Sequence, residues 1–262
     1  DNLDAARGLG NAAMQLKDWR NAKLGLEAAH RIAPEDCGIT KSLAYVFMAL
    51  KLKDRAKEIY EVVIGKDGRA GCEPGNNSAK VNLASLYLQS KKPAEKERAL
   101  SLLLQVVKSD EENSGVLVRA HNYAGIIYRQ KKNYDLAIEH LEKVFEYDAE
   151  RVQGRDKLGQ LYFNKGEYDK ALSHLEIAYE LDPNQYNTNL MLGLCYSEMP
   201  RREEDARTHF QKAVNLIKTM PPAKRPKSNL PHRYLAELLN AMGEPRDAIA
   251  MSEEGMELIG EG

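Results

Sequence analysis

Apolar residues in this chain fall three and four places apart in paired runs, and a short polar turn joins the two runs of each pair. Residues 156–183, DKLGQLYFNKGEYDKALSHLEIAYELDP, show the unit. Leu158, Gly159 and Tyr162 mark the first run, and Ala171, Leu175 and Ala178 mark the second. KGEY lies between them and Pro183 closes the stretch. This spacing predicts two helices, each with one buried stripe. LKDW, KLKD and KKNY take the place of KGEY elsewhere. Helices joined by so short a turn are antiparallel neighbours.

The pattern repeats with a period of 34 residues. Gly125, Tyr128, Ala137 and Leu141 answer Gly159, Tyr162, Ala171 and Leu175 one period earlier. Leu192, Gly193 and Tyr196 answer Leu158, Gly159 and Tyr162 one period later. Seven units start near residues 3, 37, 77, 118, 152, 186 and 229. The eighth place is always small: Gly10, Ala44, Ala84, Gly125, Gly159, Gly193 and Ala236. The twentieth is always alanine: Ala22, Ala56, Ala99, Ala137, Ala171, Ala206 and Ala248. Keeping that register needs three extra residues before Ala99 and one before Ala206. A small residue where two helices cross lets their backbones approach, and a larger side chain of the facing helix fills the space. A unit of this kind cannot bury its stripe alone, so units stack and share their stability.

These residues resemble the tetratricopeptide repeat, a helix–turn–helix unit of 34 residues marked by Trp, Leu-Gly, Tyr, Ala, Phe, Ala and Pro. The resemblance covers nearly the whole chain, with Pro34 and Pro183 at the closing Pro place. The family's early Trp is replaced throughout, by Ala6, Thr40, Lys80, His121, Arg155, Asn189 and His232. Ala13 and Leu239 at the Tyr place, and Ser252 at the Phe place, make the first and last units the weakest matches. The resemblance implies an all-α fold, a right-handed superhelical solenoid of helix–turn–helix repeats forming one domain over 1–262. It also implies that the first helices line a concave groove where partners lie.

Taking the second, fifth, ninth and twelfth places, with their neighbours, as groove-facing selects Arg7, Asn11, Lys41, Tyr45, Asn82, Arg119, Asn122 and Arg129. The same rule selects Val81 and Leu190. The N-terminal half of this surface is basic and amide-rich, which suits a protein or peptide segment with acidic groups. The expected function is therefore a non-catalytic scaffold for protein–protein interaction. The alternatives are an accessory domain of a larger enzyme or assembly, and a co-chaperone for acidic C-terminal tails. Chaperone-binding members of the family carry a carboxylate clamp. Arg7 and Asn11 match its first pair in type, whereas Ser42, Ser78 and Asn82 depart from it. One unit on, Lys41, Asn82 and Arg119 agree, whereas Tyr45 and Tyr123 depart.

Three stretches break the period: GCEPGN at 71–76, NSGVL at 113–117 and PPAKRPKS at 221–228. They read as loops. Cys37, Cys72 and Cys195 are odd in number and lack C-x-x-C spacing. That points to a reduced, cytoplasmic compartment and away from structural zinc. The chain opens at Asp1 with neither an initiator Met nor a signal peptide, as at a processed end. Its 262 residues are 43% hydrophobic and 29% charged, with a net charge of -1. This balance gives no reason to expect nucleic acid, and no apolar run is long enough for membrane insertion.

His140, His174 and His209 recur at one place of three consecutive units. Their separation is too great for a shared metal, so they read as partly buried packing residues with pH-sensitive packing as the alternative. GLGNAA at 8–13 lacks a preceding strand and does not read as a nucleotide site. No catalytic motif, metal site or cofactor is expected. KRPK at 224–227 reads as a solvated basic loop. Ile249, Met256 and Ile259 on the last helix are expected to need cover, from further chain or from a second copy in a homo-oligomer.

Overall fold

The computed structural model describes residues 2–66, 69–148, 154–226 and 228–260, without the side chains of residues 222, 259 and 260. Contacts divide the chain into two units, residues 1–148 and 149–262. The first unit contains α1 (Leu3–Gln15), α2 (Trp19–Ile32), α3 (Cys37–Ala49), α4 (Lys53–Ile64), α5 (Asn77–Leu88), α6 (Pro93–Val107), α7 (Ser114–Gln130) and α8 (Tyr134–Tyr147). The second contains α9 (Arg155–Asn164), α10 (Tyr168–Leu181), α11 (Tyr186–Ser197), α12 (Glu203–Thr219), α13 (Leu230–Ala241) and α14 (Pro245–Gly260). Within each unit every helix packs on the one before and the one after it. The fold is an all-α helical repeat, as the periodicity predicts.

The recurrent small residues sit where the pattern requires them. All fourteen residues of the eighth and twentieth places are buried. A Cβ built on Gly10 would come within 2.7 Å of Leu26 Cγ, and one on Gly159 within 2.5 Å of Leu175 Cγ. On Gly193 it would meet the Phe210 ring at 2.5 Å. Each crossing is thus filled by the large residue of the twenty-fourth place. The histidines add a second repeated contact. His140 stacks on Tyr128 at 5.4 Å, His174 on Tyr162 at 5.7 Å and His209 on Tyr196 at 5.6 Å. They are buried or half-buried packing residues.

The turn between paired helices shares one geometry in every repeat but the third. Its αL position, place fifteen, is taken by Lys17, Lys51, Lys132, Gly166 and Gly243, each with φ between 57° and 84°; Arg201 follows one residue late in the unit with the insertion. A left-handed conformation ends an α-helix by redirecting the chain, and it costs a non-glycine residue roughly 1–2 kcal/mol. Lys132→Gly removes that strain and adds unfolded-chain entropy of about 0.5–1 kcal/mol. The net expectation is a stabilisation of about 0.5–1 kcal/mol, read as a higher urea midpoint; an unchanged or lower midpoint contradicts it.

The N-cap of the second helix of each pair stands at place sixteen, one residue later in the sixth repeat. Asp18 and Asn133 there accept from the backbone N–H of Asn21 and Leu136. Leu52 holds the same place before α4 and makes no side-chain cap. A missing cap costs about 0.5–2 kcal/mol.

The break between the second and third repeats is more ordered than a loop. β1 (Gly65–Lys66) and β2 (Arg69–Ala70) pair antiparallel, Gly65 opposite Ala70. Gly65 has φ +88°, and a Cβ on Gly71 would lie 2.3 Å from Gly65 N, so the ribbon closes only with glycine at both positions. From it, Glu73 N–H donates to Val63 O at 2.8 Å. Cys72 is joined to Cys37 by a disulfide with a Cα–Cα distance of 5.8 Å. The expectation of a reduced compartment rests on unpaired cysteines, and this pairing removes its ground, because disulfides persist in oxidising surroundings. Cys195 is free and buried, with its thiol pushed up to about 12 by burial.

Candidate functional site

The residues selected from the sequence lie on the first helices of unit one, α1, α3, α5 and α7. Two of them meet directly. Arg119 Nη1 donates to Asn82 Oδ1 at 2.9 Å, and Asn82 Nδ2 donates to Tyr60 Oη at 3.0 Å. Tyr60 is 2% exposed, and burial pushes its phenol up to about 12, so it remains neutral and able to accept. Both ends of the Asn82 amide are therefore occupied inside the protein. Asn82 orients the exposed Arg119 and is itself oriented by Tyr60.

Lys41 meets an internal carboxylate. Its Nζ donates to Glu73 Oε2 at 2.5 Å, and Asn76 Nδ2 donates to Glu73 Oε1 at 3.0 Å. The Lys41 hydrogen bond, then that of Asn76, holds the Glu73 carboxyl below its ordinary range. Lys41 lies one helical turn after Cys37, so the disulfide brings the Cys72–Glu73 segment over the same face of α3. Tyr45, one turn further, is 47% exposed and meets the edge of Trp19 at 6.0 Å.

The other selected residues are less engaged with one another. Arg7 pairs with Asp4 at 3.0 Å, and Asn11 is exposed. Asn122 and Arg129 are half-buried on α7. Val81 and Leu190, selected by the same rule, are buried, which corrects their assignment to an open surface. The fifth place faces the neighbouring first helix at these positions, as where α5 packs on α7. On α14, Ile249 is 60% and Met256 62% exposed, as expected of a contact face, and the side chain of Ile259 lies outside the described residues.

Tyr60 and Glu73 are the functional neighbours that the sequence pattern misses. Tyr60 sits at place twenty-four, where Leu26, Leu141 and Leu175 only fill a crossing. Its signal is a hydroxyl at a place that is apolar in every other repeat but the last, where Ser252 stands. Glu73 sits in the GCEPGN break, outside the repeat register, and became relevant only through the pairing of Cys72.

Other chemistry does not gather. Among the described residues no three His, Cys, Asp or Glu side chains are placed to hold a metal ion. No helix among them is long and apolar enough to cross a membrane. In the basic loop, Arg225 folds back to donate to Met220 O at 3.1 Å and Lys218 O at 3.3 Å, while Lys227 lies outside the described residues.

Comparison with known proteins agrees with this geometry. Residues 118–151 and 153–185 each match a model of the tetratricopeptide repeat. No curated protein sequence matches the chain. Several solved structures share the fold. PilF of Pseudomonas aeruginosa is 18% identical, covers 83% of this chain and 93% of its own, and gives a TM-score of 0.63. YrrB, described as a TPR protein with an unusual peptide-binding site, is 18% identical, covers 74% and 93%, and gives 0.61. MamA from Desulfovibrio magneticus RS-1 is 21% identical, covers 70% and 95%, and gives 0.59. Residues 118–185 thus carry two tetratricopeptide repeats, and the same helix pair recurs throughout both units.

Proposed function

We propose that the protein is a non-catalytic scaffold that binds a partner protein or peptide on the first-helix face of unit one. The observation that carries the reading is the Tyr60–Asn82–Arg119 chain, which holds an exposed guanidinium in a fixed direction. Guanidinium groups bind carboxylates through paired, charge-assisted hydrogen bonds, and a fixed one loses less freedom on binding. The Lys41–Glu73 pair supports the reading, since a carboxylate of the chain itself already lies on the lysine of this face. An acidic segment is the partner that fits. YrrB, with its peptide-binding site, is a precedent for this use of the fold.

A labelled peptide with the acidic C-terminal tail sequence of a chaperone type, titrated by fluorescence anisotropy, tests the reading. Lys41→Ala/Arg119→Ala is expected to weaken binding by about tenfold or more, and Tyr60→Phe by a few-fold through misorientation of Arg119. Absence of binding, or equal affinity for wild type and the double variant, rejects it.

The exposed Ile249 and Met256 of α14 favour a second contact, between copies of the chain. A light-scattering mass equal to one chain at working concentration removes that reading.

A further inference from the structure

Unit one breaks the repeat pattern twice at residues that line one cleft. Leu24 stands at place twenty-two, where five of the other six repeats carry a polar residue, Glu58, Ser101, Glu139, Ser173 or Thr208, and the last carries Ala250. Leu52 is apolar at a cap place that is polar in the other repeats, where Asp18 and Asn133 hold their helices by side-chain hydrogen bonds and Lys92, Glu167 and Arg202 make none. Leu24 is 61% and Leu52 39% exposed. A leucine that gives up a helix cap and faces water satisfies neither the local rule nor the core. Such violations mark places where a sequence serves something other than its own fold.

The two leucines are brought together. With Leu50, Arg20 and Lys23 they line a cleft of about 360 Å3 between α2 and the α3–α4 turn. Cations border the apolar floor. Arg20 and Lys23 lie on α2, and the exposed Lys51 and Lys53 flank Leu52. Two of the nearby acids are engaged elsewhere. Asp18 caps α2, and Asp54 reaches Lys57 at 3.3 Å. A third, Glu27, pairs with Lys23 of the cleft at 3.8 Å.

From this arrangement we infer that the edge formed by Arg20, Lys23, Leu24, Leu50 and Leu52 docks an acidic amphipathic helix of a partner protein. A concave apolar floor accepts side chains projecting from one helical face, and the cations that border it meet acids flanking that face. A flat lipid surface would leave the cleft unfilled. None of these residues belongs to the Lys41 and Arg119 surface, so the two sites are separable by mutation.

The test uses a short fluorescein-labelled amphipathic peptide, leucine on one helical face and glutamate on the other, titrated against the full chain by anisotropy. Leu24→Glu and Leu52→Asp restore the residue types of the other repeats. Each is expected to weaken binding at least about tenfold. Leu52→Asp is expected to raise the thermal midpoint by restoring the cap, which separates lost binding from lost folding. Lys41→Ala/Arg119→Ala is expected to leave this affinity unchanged, and added salt to lower it. The inference is overturned by no binding, by equal affinity for wild type and both leucine variants, or by an equal loss in the groove variant. Leucine-dependent binding to phosphatidylserine vesicles without binding to the peptide also overturns it, in favour of a lipid surface.

Discussion

Gly25→Ala is expected to destabilise the first helix pair by about 2–3 kcal/mol, while Gly8→Ala on the same pair stabilises it by about 0.5–1 kcal/mol. Both add one methyl group. At Gly8 the new Cβ meets nothing within 4 Å, so only the better helix propensity of alanine remains. At Gly25 it would lie 2.5 Å from Gly10 N, 2.8 Å from Ala6 O and 2.9 Å from Gly10 Cα. These are backbone atoms, which cannot rotate aside as a side-chain end can. The clash is relieved only if α1 and α2 separate, and separation opens the contacts of the buried Ala22, Leu26 and Ala29. Repeat arrays share stability between neighbours, so the loss should concentrate in the first pair. Amide exchange within α1 and α2, alongside urea unfolding, reads it directly. A Gly25→Ala variant within about 0.5 kcal/mol of wild type contradicts the close crossing.

The same residue shows where sequence reading stopped. The eighth and twentieth places were legible because one residue type recurs there in every unit, and recurrence is visible without coordinates. Gly25 occupies place twenty-three, where His140, His174 and His209 stand in later units. In those units a tyrosine and a histidine stack between the paired helices. In the first unit Ala13 takes the Tyr place and Gly25 the His place, and no ring separates the helices. Ala13 alone reads as a weak family match. Paired with Gly25 it is a different solution to the same crossing, and only the distances reveal the compensation.

The candidate surface was legible in part for a similar reason. Side chains on first helices follow the register, so Lys41, Asn82 and Arg119 were placed on the right elements. What those side chains touch depends on second helices and loops, which lie outside the groove rule. Asn82 is turned inward by Tyr60, from α4, and Lys41 is met by Glu73, from a segment held by a disulfide of 35-residue separation. Long-range covalent pairing has no periodic signature, and three cysteines leave three choices of pair.

Acidification from pH 6.5 to about 4 is expected to cost the first unit about 3 kcal/mol through one histidine pair. His121 and His140 are 8% and 6% exposed, and their Nδ1 atoms lie 3.0 Å apart. At that distance one Nδ1 carries a proton and donates while the other accepts. Protonating both would set two N–H groups and two charges against each other. Tyr147 at 5.9 Å from His121 and Tyr128 at 5.4 Å from His140 close the pocket with rings. Burial first, then the His140 and Lys143 charges, bring His121 from 6.5 down to about 4, against a smaller upward pull from Glu146. Burial also lowers His140, with Glu139 opposing. Because the folded value is depressed, the unfolded chain takes up protons first. The stability is therefore complete above pH 6.5, falls as pH drops through the interval, and levels off below about 4. His121→Asn keeps a polar partner for His140 Nδ1 and does not titrate. Its unfolding free energy should fall by about 3 kcal/mol less than that of wild type over the same interval. Equal pH slopes for the two proteins, or a His121 proton-NMR titration centred near its ordinary value, would show that the pair is open to water rather than locked in the core.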